Sequence, residues 1–244
     1  MRVVICGGGV IGACTAYFLG LRQVEVVVVE RTGVACAASG KSGGFLALDW
    51  CDGSALGRLA RRSFNLHAEL AADLDGGRWG YRRLDTWSVL AGAGRGGGGR
   101  AVSGPAWLGE NALVQAKLGT QATTAQVHPA RFTEAMLQAA IAIGAQLRIG
   151  CVTDVFGDPW RTKALGVEVD GVALKADAIV LAMDHRPMAA RKWLPLPAVY
   201  GFKGNSVVYQ SDSRASADAV FVKLTAADGA AHTPEVFPRA DGTT

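Results

Sequence analysis

Gly7, Gly8, Gly9, Val10, Ile11 and Gly12 fit the pattern G-x-G-x-x-G, and Glu30 stands 18 residues beyond the last glycine. Glycines at that spacing, followed by an acid, suit one chemistry, the holding of a dinucleotide. Gly7 permits a tight turn, Gly9 lets backbone approach a pyrophosphate, and Gly12 lets a helix pack closely on a strand. The phosphates then lie at a helix N-terminus, where N–H groups and the helix dipole favour negative charge. An acid roughly 20 residues on accepts hydrogen bonds from ribose hydroxyls. The flanking sequence supplies the elements that must position these groups. Residues 2–6 form an apolar β-branched run and read as a buried strand, 13–21 as a helix, and 24–29 as a second buried strand that Glu30 ends. This is a βαβ unit.

The fingerprint does not by itself separate NAD from FAD. Residues 32–45 show neither a helical nor a strand period and run Ser39, Gly40, Lys41, Ser42, Gly43, Gly44. Such a loop can bring backbone N–H groups and a lysine to a second phosphate face. The alternative is a flexible surface loop.

The chain resembles the FAD-dependent oxidoreductases of the D-amino-acid-oxidase superfamily, which includes glycine, sarcosine and D-amino-acid oxidases, and within it a plant and fungal oxidoreductase subgroup. The resemblance is carried by GGGVIGACTAYFL from Gly7, VER from Val29, GVACAASGKSGGFLALDW from Gly33, QVHPARFTEAM from Gln126, ADAIVLAM from Ala176 and PEVFPRADGT from Pro234; it fails over residues 90–124. It implies an α/β fold: a Rossmann-like FAD-binding domain with a parallel sheet, over 1–80 and 125–190. A partial antiparallel-sheet substrate domain would occupy 81–124 and 191–244. It implies FAD as cofactor, with Glu30 on the adenosine ribose. Arg31 and the loop of Ser39, Gly40, Lys41, Ser42 and Gly43 would lie near the pyrophosphate and flavin, and the backbone at Val152 near the adenine. The implied activity is oxidation of an amine or amino acid by hydride transfer from its α-carbon to the flavin, hydrolysis of the imine, and reoxidation by oxygen. An NAD-linked dehydrogenase is the alternative enzyme. A non-enzymatic scaffold is the alternative outside catalysis, since fungal relatives of the subgroup are linked to endosome-to-Golgi retrieval.

Three departures from the family pattern stand out. Gln23 occupies a place where the family has a glycine that ends the first helix. Asp184 occupies another glycine place, after the strand at 178–183, where a carboxylate would repel a pyrophosphate by about a kcal/mol or more; His185 and Arg186 could offset it. The chain also ends before the segment that closes over the flavin, so the resemblance implies a truncated member with an unfinished pocket.

Composition narrows the function classes. Half of the 244 residues are hydrophobic and the net charge is only +4, which excludes a disordered chain. No aromatic-and-basic pattern suggests nucleic acid, and no apolar run reaches the roughly 20 residues needed to span a bilayer. Met1 leads straight into the first strand, so a cytoplasmic protein is expected. The five cysteines are scattered, which fits a reducing compartment better than disulfides or a metal site.

Along the rest of the chain, 54–74 reads as an amphipathic helix with His67 on its apolar stripe and Arg58, Arg61 and Arg62 on its basic face. Residues 81–90 read as a strand pair or one irregular strand; Arg82 and Arg83 could bind a substrate carboxylate, although exposed sheet-face arginines are commoner. The run 91–100, AGAGRGGGGR, has six glycines and no core-forming residue, and 103–121 is patternless. A helix opens at Pro129 and ends by Gly144, 147–155 is a strand, and Asp170-Gly171 turns a hairpin. Residues 178–183 read as a buried parallel strand, and 200–210, 219–224 and 235–239 as strands of the substrate sheet. No catalytic side chain is assigned; Lys41 and Lys203 are candidates for tuning a flavin or anchoring a carboxylate, with solvated surface lysines as the alternative.

Overall fold

The computed structural model describes residues 1–92, 103–159, 162–184, 197, 200–210 and 216–244. In chain order the elements are β1 (Arg2–Cys6), α1 (Val10–Gly20), β2 (Glu25–Glu30), α2 (Ala38–Lys41), β3 (Phe45–Ala47), α3 (Gly57–Asp73), a 3-10 turn (Gly76–Trp79), β4 (Arg82–Arg83), β5 (Asp85–Gly92), β6 (Ala112–Gly119) and β7 (Thr124–Gln126). They continue with α4 (Pro129–Ala142), β8 (Gln146–Ile149), β9 (Val152–Gly157), β10 (Ala164–Val169), β11 (Val172–Lys175), β12 (Ala178–Leu181), β13 (Asp218–Thr225), β14 (Ala231–His232) and β15 (Glu235–Val236). Residues 93–100 of the glycine-rich run, His185 and Arg186 lie outside the described residues.

The contacts divide the chain into two units, Met1–Ser42 with Pro129–Ser206, and Gly43–His128 with Val207–Thr244. The first boundary falls at 42/43, where the sequence reading set it at 80/81. Strand β3 is the reason: Phe45 pairs with Gln126 and Ala47 with Thr124, which commits the following chain, α3 included, to the second unit.

In the first unit four parallel strands run in the order β12-β1-β2-β8. The β1 and β2 runs are apolar without alternation because both faces are covered. Ile5 faces α1, and Val4, Cys6, Val27 and Val29 pack with Val167 and Val169 of an antiparallel β11-β10-β9 sheet and with Ala176 just beyond β11. Helix α4 lies against α1 and α2. The hairpin predicted at Asp170-Gly171 joins β10 to β11, with both residues at positive φ. The single strand expected over 147–155 is two strands in two sheets. Gly150 N–H donates to the Glu30 carbonyl and Cys151 N–H to Asp170 Oδ1, so the chain leaves the parallel sheet there.

Within the expected loop at 32–45 lies the single helical turn α2. Small residues permit it: a Cβ on Gly40 would stand 2.0 Å from the Ala35 carbonyl oxygen. The first helix ends at Gly20, and Gln23 meets the bend beyond it by taking the left-handed region, φ 58°.

In the second unit a sheet runs β14-β13-β5-β6, with β15 also on β13, and a small one runs β3-β7-β4. The larger sheet is mixed rather than antiparallel, because β13 runs parallel to β5. Strand β6 was invisible in the sequence; its residues are largely exposed, and irregular register against β5 breaks the period of two. Residues 200–210, expected as a strand, form none; they touch strand geometry only at a bridge from Gln210 to Thr243. Tyr200, Phe202, Val207, Val208 and Tyr209 are all exposed there, so the apolar alternation has no sheet face to cover. Phe45, Trp50, Phe221 and Phe237 form one aromatic cluster, with ring centroids 5.0–5.8 Å apart.

Candidate functional site

A cleft of about 740 Å³ opens in the first unit at the C-terminal ends of the parallel strands, within the ~300–1,000 Å³ usual for cofactor and ligand sites. Its wall is made by Cys6 after β1, Val29 and Glu30 at the end of β2, Gly150 beyond β8, and Leu181, Ala182, Met183 and Asp184 at and beyond the end of β12. Open α/β sheets bind ligands at this edge, where the chain leaves a central strand for neighbours on both sides. Here β1 is that strand, with β2 on one flank and β12 on the other.

The glycines act at close quarters. Gly7 has φ 119°, and a Cβ there would lie 2.1 Å from the Ala182 carbonyl oxygen; one on Gly12 would lie 2.0 Å from the Gly7 carbonyl oxygen. Both positions are closed to a side chain. A Cβ on Gly9 would meet Ser39 Oγ at 2.9 Å. Gly7, Gly9, Val10 and Ile11 line the cleft, whereas Gly8 and Gly12 act behind it.

Glu30 is bound on both oxygens. Oε2 accepts from Gly8 N–H at 2.7 Å, while Oε1 accepts from Thr32 N–H at 2.9 Å, Thr32 Oγ1 at 3.3 Å and Gly33 N–H at 3.4 Å. Partial burial on its own raises the carboxyl's pKa, but these donors together outweigh it and hold Glu30 below the ordinary glutamate value. Glu30 is therefore an ionised acceptor fixed at the lip of the cleft.

Other predicted residues sort by position. Arg31, Ser39, Lys41 and Val152 line the cleft. Ser39 Oγ accepts the Val10 N–H at 3.0 Å, so one amide of the helix mouth is held by a hydroxyl that can itself donate to a phosphate. Gly40 serves packing, and Ser42 ends α2 in an extended conformation. Gly43 belongs to the second unit, where a Cβ would strike the Phe237 ring at 2.4 Å; it is a packing position there. Lys203 is exposed. Arg82 donates to Gln126 Oε1 and the Pro238 carbonyl, and Arg83 lies over the Phe64 ring at 4.5 Å, so both have structural partners.

Sequence reasoning missed Thr32, Gly33, Ala35, Cys36 and Cys151 as cleft residues. Glu30 was the available signal, since an acid that must stay ionised recruits backbone donors from the residues that follow it. Ala35 sits at φ 55° with its N–H on the Gly8 carbonyl at 3.2 Å, a left-handed position that a glycine would have announced. All five cysteines are free, and burial pushes Cys6 and Cys14 up to about 12. Among the described residues no helix is long and apolar enough to cross a membrane.

The cradle fits the diphosphate and ribose of a dinucleotide, because backbone alone approaches at Gly7 and Gly9 and an ionised acceptor stands beside it. Comparison with known proteins agrees. Residues 2–244 match the family described as "FAD dependent oxidoreductase". The chain is 30% identical to the Schizosaccharomyces pombe protein named "Putative oxidoreductase C1F5.03c", over 98% of this chain and 68% of that protein. Its fold is similar to glycine oxidase from Bacillus cereus ATCC 14579, with a TM-score of 0.79 at 22% identity over 99% of this chain and 70% of that one. Iminodiacetate oxidase from Chelativorans sp. BNC1 is similar at a TM-score of 0.59 and 20% identity, over 78% of this chain and 56% of that one. A match that runs the length of the chain, on a fold whose cradle suits the cofactor, places this protein in the D-amino-acid-oxidase family of FAD-dependent oxidoreductases.

Proposed function

We propose that this chain holds FAD in the cleft of its first unit and oxidises the C–N bond of an amine or amino acid, with oxygen as the electron acceptor. The observation that carries the reading is the side-chain-free cradle at Gly7 and Gly9 beneath the ionised Glu30. FAD, when bound, supplies the hydride-accepting chemistry that no side chain can provide. The chain's own part is binding and orientation. The mouth of α1 faces the pyrophosphate with its dipole. Glu30 uses the lone pairs left by Gly8, Thr32 and Gly33 to accept from ribose hydroxyls. Arg31 and Lys41 add positive charge along the cleft, and Val152 offers apolar surface to the adenine. The substrate class is supported by the similar folds of proteins named for glycine and iminodiacetate.

The test is direct. The purified chain is expected to carry flavin absorbance at near one FAD per chain, and Gly9→Glu is expected to abolish it. Hydrogen peroxide release is then measured with glycine, sarcosine, iminodiacetate and D-amino acids. A colourless chain that takes up no added FAD, or one that binds NADH instead, overturns the reading.

A further inference from the structure

A vicinal diol brings two hydroxyl donors side by side, and the ribose end of the cleft has to accept both. Glu30 Oε1 is already taken: it accepts from Thr32 N–H at 2.9 Å, Thr32 Oγ1 at 3.3 Å and Gly33 N–H at 3.4 Å. A carboxylate offers about four lone-pair sites over its two oxygens, so the open capacity lies on Oε2, which holds Gly8 N–H. That serves one ribose hydroxyl. The next acceptor along the wall is Thr32 Oγ1 itself. Thr32 is exposed, lines the cleft with Glu30, and has Cys36 Sγ as a second neighbour of its hydroxyl at 3.2 Å. A hydroxyl has one proton and two lone pairs. With the proton on Glu30 and the Cys36 S–H donating to the oxygen, one lone pair is left for a ligand. The hydroxyl is also surplus to holding Glu30, because the N–H groups of Gly8, Thr32 and Gly33 do that without it.

We propose that the Thr32 hydroxyl is the second ribose acceptor of this cleft, so that Glu30 and Thr32 together read the intact diol of the cofactor's adenosine. The inference rests on the reading of the cleft as the FAD site. It gives Thr32 a part in binding and none in the reaction.

The experiment titrates the full chain at neutral pH, by calorimetry, with FAD, ADP, 2′-deoxy-ADP and 3′-deoxy-ADP, for wild type, Thr32→Val, Thr32→Ser and Gly9→Glu. Thr32→Val keeps the backbone donors to Glu30 and exchanges only the hydroxyl for a methyl. It is expected to bind FAD and ADP about three- to tenfold more weakly than wild type, the size of one neutral hydrogen bond, and Thr32→Ser is expected to recover most of the loss. The analogues separate contact from structure. The deoxy nucleotide that lacks the hydroxyl accepted by Thr32 is expected to bind wild type and Thr32→Val equally, whereas the other keeps the gap. Equal FAD affinity for wild type and Thr32→Val, or a gap of one size for ADP and both analogues, overturns the role of Thr32; with Gly9→Glu still inactive in binding, it leaves the FAD site standing. Absence of FAD binding in all four proteins overturns both.

Discussion

Gly12→Ala tests the packing of the cradle through the sign of its effect. On an exposed helix, replacing glycine with alanine stabilises by about 1 kcal/mol. Here the new methyl would stand 2.0 Å from the Gly7 carbonyl oxygen and 3.3 Å from Ile5 Cγ2. Carbon atoms in packed interiors sit about 3.5–4.0 Å from their neighbours, so α1 must back away from β1 by at least about 1 Å. The obstacle is backbone and cannot rotate aside. Gly12, Ala13 and Ala16 are buried on that face of the helix, and their packing is disturbed together. Overpacking of this kind costs about 1–3 kcal/mol; taking the upper end and subtracting the helix-propensity gain leaves about 2 kcal/mol of destabilisation. For a chain of this size that is about 4–8 °C in melting midpoint. Urea unfolding followed by circular dichroism, without FAD, measures it. Gly9→Ala is the control, because its methyl meets only the Ser39 hydroxyl, at 2.9 Å; it is expected to change stability little while weakening FAD binding. A Gly12→Ala protein as stable as wild type, or more so, refutes the account of the close approach.

Three further outcomes are expected. Gln23→Gly should stabilise by about 0.5–1 kcal/mol, because it relieves left-handed strain at φ 58° and is offset only in part by glycine's unfolded-state entropy; urea midpoints measure this, and FAD affinity should not change. Glu30 titrates below its ordinary value, so its stabilisation is present above the usual carboxylate range and is lost as pH falls through its folded value. Glu30→Gln should accordingly cost about 1–2 kcal/mol at neutral pH, discounted for its partial exposure, and acid melts of the two proteins should converge as pH drops. Thiol reagents at neutral pH should modify exposed Cys36 readily and spare Cys6 and Cys14, whose pKa values stand near 12; bound FAD should protect Cys36, as peptide mass mapping would record.

What the sequence made legible was local. The 2–30 stretch contains its own strands, turn and helix, and the structure bears these elements out, with Glu30 at the end of β2, because neighbouring residues determine them. The parallel strand ending at Leu181 was readable from its apolar run. The far wall's closeness to Gly7 was not, because nothing local encodes a contact between residues 7 and 182. Strand β6 escaped because its side chains are mostly exposed, and period-two reading depends on a buried face. The opposite error arose at 200–210, where alternating apolar residues imply a covered face that the fold does not supply. Gln23, Ala35 and Asp184 show a related limit: each takes a left-handed backbone without being glycine, so residue type concealed the turn.

Val3 to Cys6 pair on one side with 26–29 and on the other with 178–181. During synthesis the glycine turn and its acid therefore leave the ribosome long before the strand that carries Ala182. A nascent chain has half a receptacle until translation is well past residue 180, and contacts this distant in sequence form late. A complete receptacle accordingly exists only once β12 has joined β1, and cofactor capture cannot precede that pairing.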